Sequence, residues 1–392
     1  MTNIKDFLKN LIFFTEPDKT ERFILKEAPG EKNKEQQRDA NDRIFQKELE
    51  SKEAEEKKEP DPNDRIDADI KNNLERMKEI YSIPLNSDIV LREFDINFNG
   101  RRVPAFIIFF DGMVNGDTIN NSILKPLMVS SMMEIQGNEE SLEGYIARQL
   151  LPHCQLKIEK GYSDIVDTVN FGGCGIFADG LNVAFTADVK GWDHRGIEKP
   201  NNEIVIRGPQ EAFNELLRTN TAQIRKRLKD QNLIAEDVLV GKISKTPCSI
   251  LYIKDVTNEK LVAEVRRRIR NIKVDYMLDS GILEQLIEDS TIFPSPQVIS
   301  TERPDYVCEL LVNGRVAIIV NGSPNVLVVP ATIFELMHSS EDSYSRYPYV
   351  NLIRGIRLIA VILALLLPAL YLAITCYHHE MIPTDLLIAI EA

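Results

Sequence analysis

The sequence predicts two tandem duplicated α/β subdomains followed by a transmembrane helix. Three observations carry this expectation. One stretch of strand, turn and helix recurs 143 residues further on, counted from Phe106 to Ser249. A second pair of segments recurs in step with it and ends in a hairpin. The chain then closes on a long uncharged run.

In chain order, residues 1–69 read as a charged leader. Between Lys26 and Asp69 both signs of charge are dense and apolar residues sparse, and Pro60 and Pro62 lie near its end. Such a segment buries too little surface to offset its ordering entropy, so a disordered tether or a solitary helix is expected. A solvated tether and a partner-binding arm are both open readings of this charge run. The opening "MTNIKDFLKNLIFFTEP" carries no export signal, because Lys9 and Asn10 break its apolar run and no small-residue cleavage site follows.

The subdomains are placed at 70–190 and 200–340. "VPAFIIFFDGMVNGDTINNSILKPL" and "TPCSILYIKDVTNEKLVAEVRRRI" share an apolar strand, an aspartate (Asp111 and Asp255), a polar turn and a helix-like segment. "GYSDIVDTVNFGGCGIFADGLNVAF" matches "ERPDYVCELLVNGRVAIIVNGSPNVLVV", with Asp164 opposite Asp305 and Asp179-Gly180 opposite Asn321-Gly322. Asp-Gly and Asn-Gly between apolar runs are hairpin signals, because both residues tolerate positive φ. Each half thus reads as strands, a helix, more helix and a closing hairpin. Helices must cover the sheet faces to complete a layered core.

Composition excludes several functions. The chain has 392 residues, 43% hydrophobic and 27% charged, enough for roughly two to three domains. Its formal charge of -13 argues against general nucleic-acid binding, which needs a dominant basic face. Cys154, Cys174, Cys248, Cys308 and Cys376 form no Cys-x-x-Cys pair and read as core residues of a reducing compartment. No phosphate-binding glycine loop opens a helix, and "FGGCG" (Phe171 to Gly175) aligns with the plain Asn313-Gly314 turn. His153, His194, His338, His378 and His379 show no metal-ligand spacing. No nucleophile, base and acid set can be nominated, so no enzyme activity, cofactor or metal is expected.

Two basic stretches remain. "RKRLK" (Arg225 to Lys229) shares a predicted helix with an apolar stripe of Phe213, Leu216, Leu217, Ile224 and Leu228. "RRRIRNIK" (Arg266 to Lys273) lies beside Val262, Val265 and Ile269. Both read as solvated outer faces, with contact to anionic lipid heads or a partner as the alternative. Pro209 is placed to start the helix, with Gln210 and Glu211 in its first turn.

Residues 341–357 form a juxtamembrane segment, and Leu358 to Tyr377 are 20 residues without a charge. At 1.5 Å per residue a helix of that length covers about 30 Å, the thickness of a hydrocarbon core. Arg346, Arg354 and Arg357 precede the span, which predicts a cytoplasmic N-terminal region. Pro368 removes a backbone donor mid-span and is expected to kink the helix. Tyr344, Tyr347 and Tyr349 before it, with Tyr371 and Tyr377 toward its end, fit interfacial anchoring.

Three blocks carry a family resemblance: "IRGPQEAFNELLRTNTAQIRKRL", "VDYMLDSGILEQLIEDSTIFPSPQVISTERPD" and "SYSRYPYVNLIRGIRLIAVILALLLPALYLAITCYHHEMIPTDLL". From about Ser130 to the last residue the chain closely resembles the A subunit of the GerA-type nutrient-germinant receptors of endospore-forming bacteria. The resemblance implies a spore inner-membrane complex with a multi-span B-type subunit and a lipoprotein C-type subunit. It implies nutrient sensing coupled to release of ions and dipicolinate, and A subunits that self-oligomerise, with the ion-conducting path among the roles open to them. Carried over by position, Arg207, Gly208, Pro209, Glu211, Asn220 and Arg225 match one block, and Asp275, Ser280, Gly281, Glu284, Pro294 and Gln297 match another. These are assigned to domain packing or subunit contact.

Members of the family continue through further spans, whereas this chain reaches Ala392 eight residues after Thr384. Residues 378–392 therefore read as the start of an incomplete membrane region, with truncation expected. The receptor subunit is the leading expectation. A truncated, non-conducting scaffold tethered to the membrane is the alternative, and a small-molecule site or enzyme in the cleft between the halves is the third.

Overall fold

The computed structural model describes residues 64–98, 101–128, 141–150, 156–191, 200, 203, 205, 207–289, 296–332, 335 and 340–377. The expectations for residues 1–63, the five histidines, Cys154, Pro294 and 378–392 lie outside these. The described residues divide into two compact units, one lying between 64 and 203 and from 209 to 331, the other of 205, 207–208 and the described residues from 332 to 377.

The larger unit repeats one order of elements twice. The first half runs through helix α1 (Ile70–Ile80), strands β1 (Ile89–Phe98) and β2 (Arg101–Phe110), and a helical run over 116–128 (α2). It continues with α3 (Leu142–Leu150), β3 (Leu156–Glu159), α4 (Tyr162–Asn170), β4 (Cys174–Ala178) and β5 (Ala184–Ala187). The second half follows the same plan with α5 (Leu217–Arg227), β6 (Leu233–Val240), β7 (Thr246–Ile253), α6 (Glu259–Arg270) and α7 (Ser280–Ile287). It closes with β8 (Ile299–Thr301), α8 (Pro304–Val312), β9 (Val316–Val320) and β10 (Val326–Val329). Both sheets have five strands, in the orders β1-β2-β4-β5-β3 and β6-β7-β9-β10-β8. Every pairing is antiparallel.

The register fixes the repeat residue by residue. Ala105 opposes Ala178 in the first sheet as Cys248 opposes Val320 in the second, an offset of 143 for the β2 and β7 strands. On this register Gly112, not Asp111, is the counterpart of Asp255, and both are left-handed, at φ of 82° and 70°. Asp164 and Asp305 lie in the first turns of α4 and α8, but the helix starts set them one place apart. The expected two-residue turns are five-residue loops in which only Gly180 and Gly322 take positive φ. Asp179 and Asn321 use their side chains elsewhere: each accepts a hydrogen bond from the first helical N–H of its half, Ile70 of α1 at 3.3 Å and Leu217 of α5 at 3.2 Å. Gly172 and Gly314 end their helices in the left-handed turn that "FGGCG" was read to be.

Alternate residues along the central strands feed opposite cores, because successive strand side chains point to opposite faces. Phe106, Ile108 and Phe110 face α1 and α4, while Ala105 and Ile107 face α2 and α3. The second sheet does the same, with Leu251 and Ile253 toward α5 and α8 and Ile250 and Tyr252 toward α6 and α7. Each half is therefore a sheet between two helical layers. Cys174, Cys248 and Cys308 are buried core residues, and burial pushes the Cys248 and Cys308 thiols up to about 12.

In the smaller unit, helix α9 (Tyr347–Tyr377) has 31 residues, begins well before the predicted span and continues through Pro368. Its mean hydropathy reaches 2.7 over its most apolar stretch, with none of that stretch buried. Arg354 and Arg357 both reach the Asp342 carboxylate, at 3.2 and 3.1 Å.

Phe106 and Phe177 stack with ring centroids 4.6 Å apart and are fully buried. Phe177→Ala is expected to destabilise the first half by about 3 to 5 kcal/mol, as a lower urea midpoint in circular dichroism.

Candidate functional site

Two helices at equivalent places carry the polar core. In α5 the side chain of Asn220 turns back on the segment before the helix, accepting from the Asn214 N–H at 2.9 Å and donating to its carbonyl at 2.6 Å. Asn73 in α1 makes the same two bonds to Asp67, at 3.0 and 2.7 Å. Both asparagines are buried, and each brace satisfies the buried side-chain amide while tying down the backbone of the segment before its helix. Residues 64–69, placed in the leader from sequence, thus belong to the fold, with Ile66 in the core.

Arg225 ends the same helix and departs furthest from expectation. Far from lying on a solvated face, it is 3% exposed, and its partner Asp88, just before β1, is 1% exposed. Its Nε donates to Asp88 Oδ2 at 2.5 Å and its Nη2 to Asp88 Oδ1 at 2.7 Å and Asn86 Oδ1 at 3.0 Å. The guanidinium carbon lies 4.0 Å from the centre of the Phe110 ring. The ring therefore covers one face of the cation, while the oxygens meet its edge.

Around this pair the first half docks on the free edge of β6. The Ser87 N–H donates to the Ala235 carbonyl at 2.8 Å, Ala235 N–H to Asn86 Oδ1 at 3.1 Å, and Asp237 N–H to Ser87 Oγ at 3.1 Å. Arg218 of α5 reaches Asp237 at 2.6 Å and Asp111 at 3.5 Å. Beside it, a Cβ at Gly112 would lie 2.9 Å from the Arg218 carbonyl. Ala222 of α5 belongs to the first-half core, while Leu217 and Ile224 belong to the second.

The remaining sequence-predicted residues fall in separate places. Pro209 does not start the helix, which begins at Leu217; the 209–216 segment is held instead by its own contacts. The Pro209 carbonyl accepts from Arg303, which is fully buried and also reaches the Glu203 carbonyl and Asp305. Glu211 pairs with Lys226 and Arg227 at 3.3 and 2.8 Å, so these cations of "RKRLK" are spoken for within the chain. Arg207 is exposed, and Gly208, at φ +126°, admits the Tyr344 ring within 2.9 Å of where a Cβ would be.

The second block assembles at the other face of the second sheet. The Asp275 carbonyl accepts from Ile243 N–H at 2.9 Å, and Ser280 Oγ meets Ser323 Oγ at 2.9 Å. Gly281 follows in the first turn of α7 with open space around it. Gln297 Oε1 accepts from the Asp289 N–H at 3.0 Å. It lines a cleft of about 170 Å³ together with Leu261, Val265, Arg268 and Val329. In "RRRIRNIK" the arginines are paired, Arg266 and Arg270 with the buried Glu236, Arg267 and Arg268 with Glu264. Those two arginines hold the Glu264 carboxyl at about 2. Burial, and then the Glu288 charge, push the half-buried Glu284 carboxyl up. Among the described residues, no group of three or more His, Cys, Asp or Glu side chains could hold a metal ion.

A family model described as "Bacillus/Clostridium GerA spore germination protein" matches residues 75–392. The chain belongs to the GerA spore germination family. Its similarity to Bacillus subtilis spore germination protein KA is 37% identity over 82% of this chain and 58% of that protein. To B. subtilis spore germination protein B1 it is 33% over 83% and 66%. To the B. subtilis membrane protein YfkQ it is 36% over 85% and 63%. The chain thus spans about three fifths of the length of these GerA relatives. Among solved structures it resembles the N-terminal domain of the A subunit of the Bacillus megaterium spore germinant receptor GerK3. That match has a TM-score of 0.53 and 29% identity, over 69% of this chain and 97% of that one.

Within this GerA chain, sequence reasoning named Pro209, Asn220 and Arg225 for packing or subunit contact but did not name the buried charges beside Pro209 and Arg225. Asp88 sits in an unremarkable "NSD" and Arg303 in "TERPD", and neither pattern announces burial. Truncating one member of a buried ion pair leaves the other charge uncompensated. Asp88→Ala is therefore expected to cost about 3 to 5 kcal/mol in urea denaturation, and the paired Asp88→Leu/Arg225→Met variant to cost less than either single change. For Glu284 the folded carboxyl titrates above the unfolded one, so its ionisation opposes folding as pH rises. Glu284→Gln is expected to raise the urea midpoint at neutral pH and leave it unchanged below the ordinary carboxylate value of 4.5.

Proposed function

We propose that the chain is a subunit of a nutrient-germinant receptor in the spore inner membrane, coupling nutrient sensing to release of ions and dipicolinate. The observation that carries this reading is the likeness of its two-sheet unit to the N-terminal domain of a germinant-receptor A subunit. In this reading residues 70–190 and 200–340 are cytoplasmic and 358–377 cross the membrane. Arg346, Arg354 and Arg357 before the span support that orientation. The rule counts Lys and Arg rather than net charge, so the pairing of two of them with Asp342 leaves it intact.

The partners are a multi-span B-type subunit, a lipoprotein C-type subunit and further copies of this chain. The residues of the first block act inside the chain: Asn220 and Arg225 fix α5, Pro209 and Glu211 fix the crossing between the halves, and Gly208 admits Tyr344. They make the two halves one body, so that a force on one is felt by the other. Coupling of sites requires such a body to have two states that both sites bias. Asp275, Ser280, Glu284 and Gln297 play the same packing role for α7 and the cleft beside it. Among the described residues, Arg207 and Gly281, which face open space, are left for subunit contact.

Deleting the gene is expected to abolish dipicolinate release from spores in response to one nutrient while sparing others, read by terbium fluorescence over a nutrient panel. An unchanged response to every nutrient would instead favour a membrane-tethered scaffold that conducts nothing.

A further inference from the structure

The four most exposed large apolar side chains among the described residues of the two-sheet unit lie at one tip. Ile243 is 79% exposed, Leu239 66%, Leu278 64% and Tyr276 63%. Leu239 ends β6, Ile243 is in the turn to β7, and Tyr276 and Leu278 are in the segment leading to α7. These pieces are stitched together. Lys242 N–H donates to the Val274 carbonyl at 2.9 Å, Ile243 and Ser244 N–H to that of Asp275 at 2.9 and 3.2 Å, and Met277 N–H to Ser244 Oγ at 3.1 Å. Val240 and Met277 anchor the tip in the core beneath. The turn holds its shape through left-handed residues at Gly241 and Lys245, at φ of 90° and 45°.

The charge at this tip is the reverse of the chain's. Lys242, Lys245 and Lys273 are exposed there against Asp275, which lies 4.0 Å from Lys242, and the half-buried Asp279, in a protein of formal charge -13. Lysines around protruding Ile, Leu and Tyr side chains match the chemistry of a lipid interface, with phosphates for the ammonium groups and an acyl boundary for the apolar ones. A soluble protein has no reason to expose four such residues together unless something covers them. The same chain carries α9, long and apolar enough to cross a bilayer, which keeps a membrane at high effective concentration.

We propose that the β6–β7 tip and the 272–279 segment form a second, peripheral membrane contact on an anionic phospholipid surface. Ile243 and Tyr276 enter the headgroup boundary and the three lysines meet lipid phosphates. The proposal rests on α9 being inserted, and does not depend on which nutrient, if any, the complex senses.

The test uses full-length protein in vesicles of phosphatidylcholine with or without phosphatidylglycerol. It carries a nitroxide at I243C in a C154S/C376S background, and a second preparation carries the label at V312C. Electron paramagnetic resonance compares collisions with lipid-soluble oxygen and a water-soluble nickel chelate. In anionic vesicles the label at position 243 is expected to be shielded from nickel and open to oxygen, and that at 312 to stay open to nickel. K242Q/K245Q/K273Q is expected to shift the bound tip toward the free one roughly a hundredfold, about fivefold for each lysine. A label at 243 that stays open to nickel in anionic vesicles that float with the protein overturns the proposal and leaves α9 untouched. Protein that fails to float overturns the membrane span and the proposal together. Shielding that persists in detergent and grows with protein concentration assigns the tip to a second copy and overturns the lipid contact.

Discussion

The buried pair of Arg225 and Asp88 sets the constraint on which the two-sheet unit depends. A guanidinium and a carboxylate taken out of water cost several kcal/mol each, and their attraction offsets that only when geometry and further hydrogen bonds are good. Here the fork is bidentate, Asn86 takes a third bond and Phe110 covers a face. Neither partner can be left alone in that place. The last turn of α5 must therefore stay where the chain enters β1, and the edge bonds between Ser87 and β6 follow from that position.

The duplication supplies the scaffold, and the Arg225–Asp88 pair departs from its symmetry. Asn73 and Asn220, Asp179 and Asn321, Gly172 and Gly314 do the same work in each half. Such twinned contacts are local solutions to the same problem of satisfying backbone groups at a helix start or a turn. The joint between the halves is used once, with Arg225 from the second half and Asp88 from the first. A mutual pair in both directions would have given a closed two-fold arrangement; one direction alone gives a head-to-tail joint.

Much of the architecture could be read from residue order, because apolar alternation and glycine turns are local signals. The order of strands, turns and helices, the closing hairpins and the long apolar helix all stand in the structure. The pairing of Asp111 with Asp255 was off by one place, since acidity is a weaker marker than the left-handed backbone that Gly112 and Asp255 share. "RKRLK" misled because a run of charge looks solvated until its partners are known. Asp88 lies 137 residues from Arg225, and Glu211 stands at the far end of a segment read as the helix start. A polar residue's burial depends on a distant partner, and no periodicity records it. Arg303 escaped notice for the same reason.

Helix α5 has one more consequence. Ala222 packs in the core of the first half and Leu217 and Ile224 in that of the second, so one helix is a wall of both. Two repeats of equal plan would ordinarily suggest two autonomous pieces, each able to open alone. A shared wall forbids it. A fragment ending near residue 190 would bare an apolar face and strand the Asp88 carboxylate beneath it, and a fragment beginning near 200 would strand the Arg225 guanidinium. The two repeats are thus two sheets with one wall in common and one buried ion pair between them.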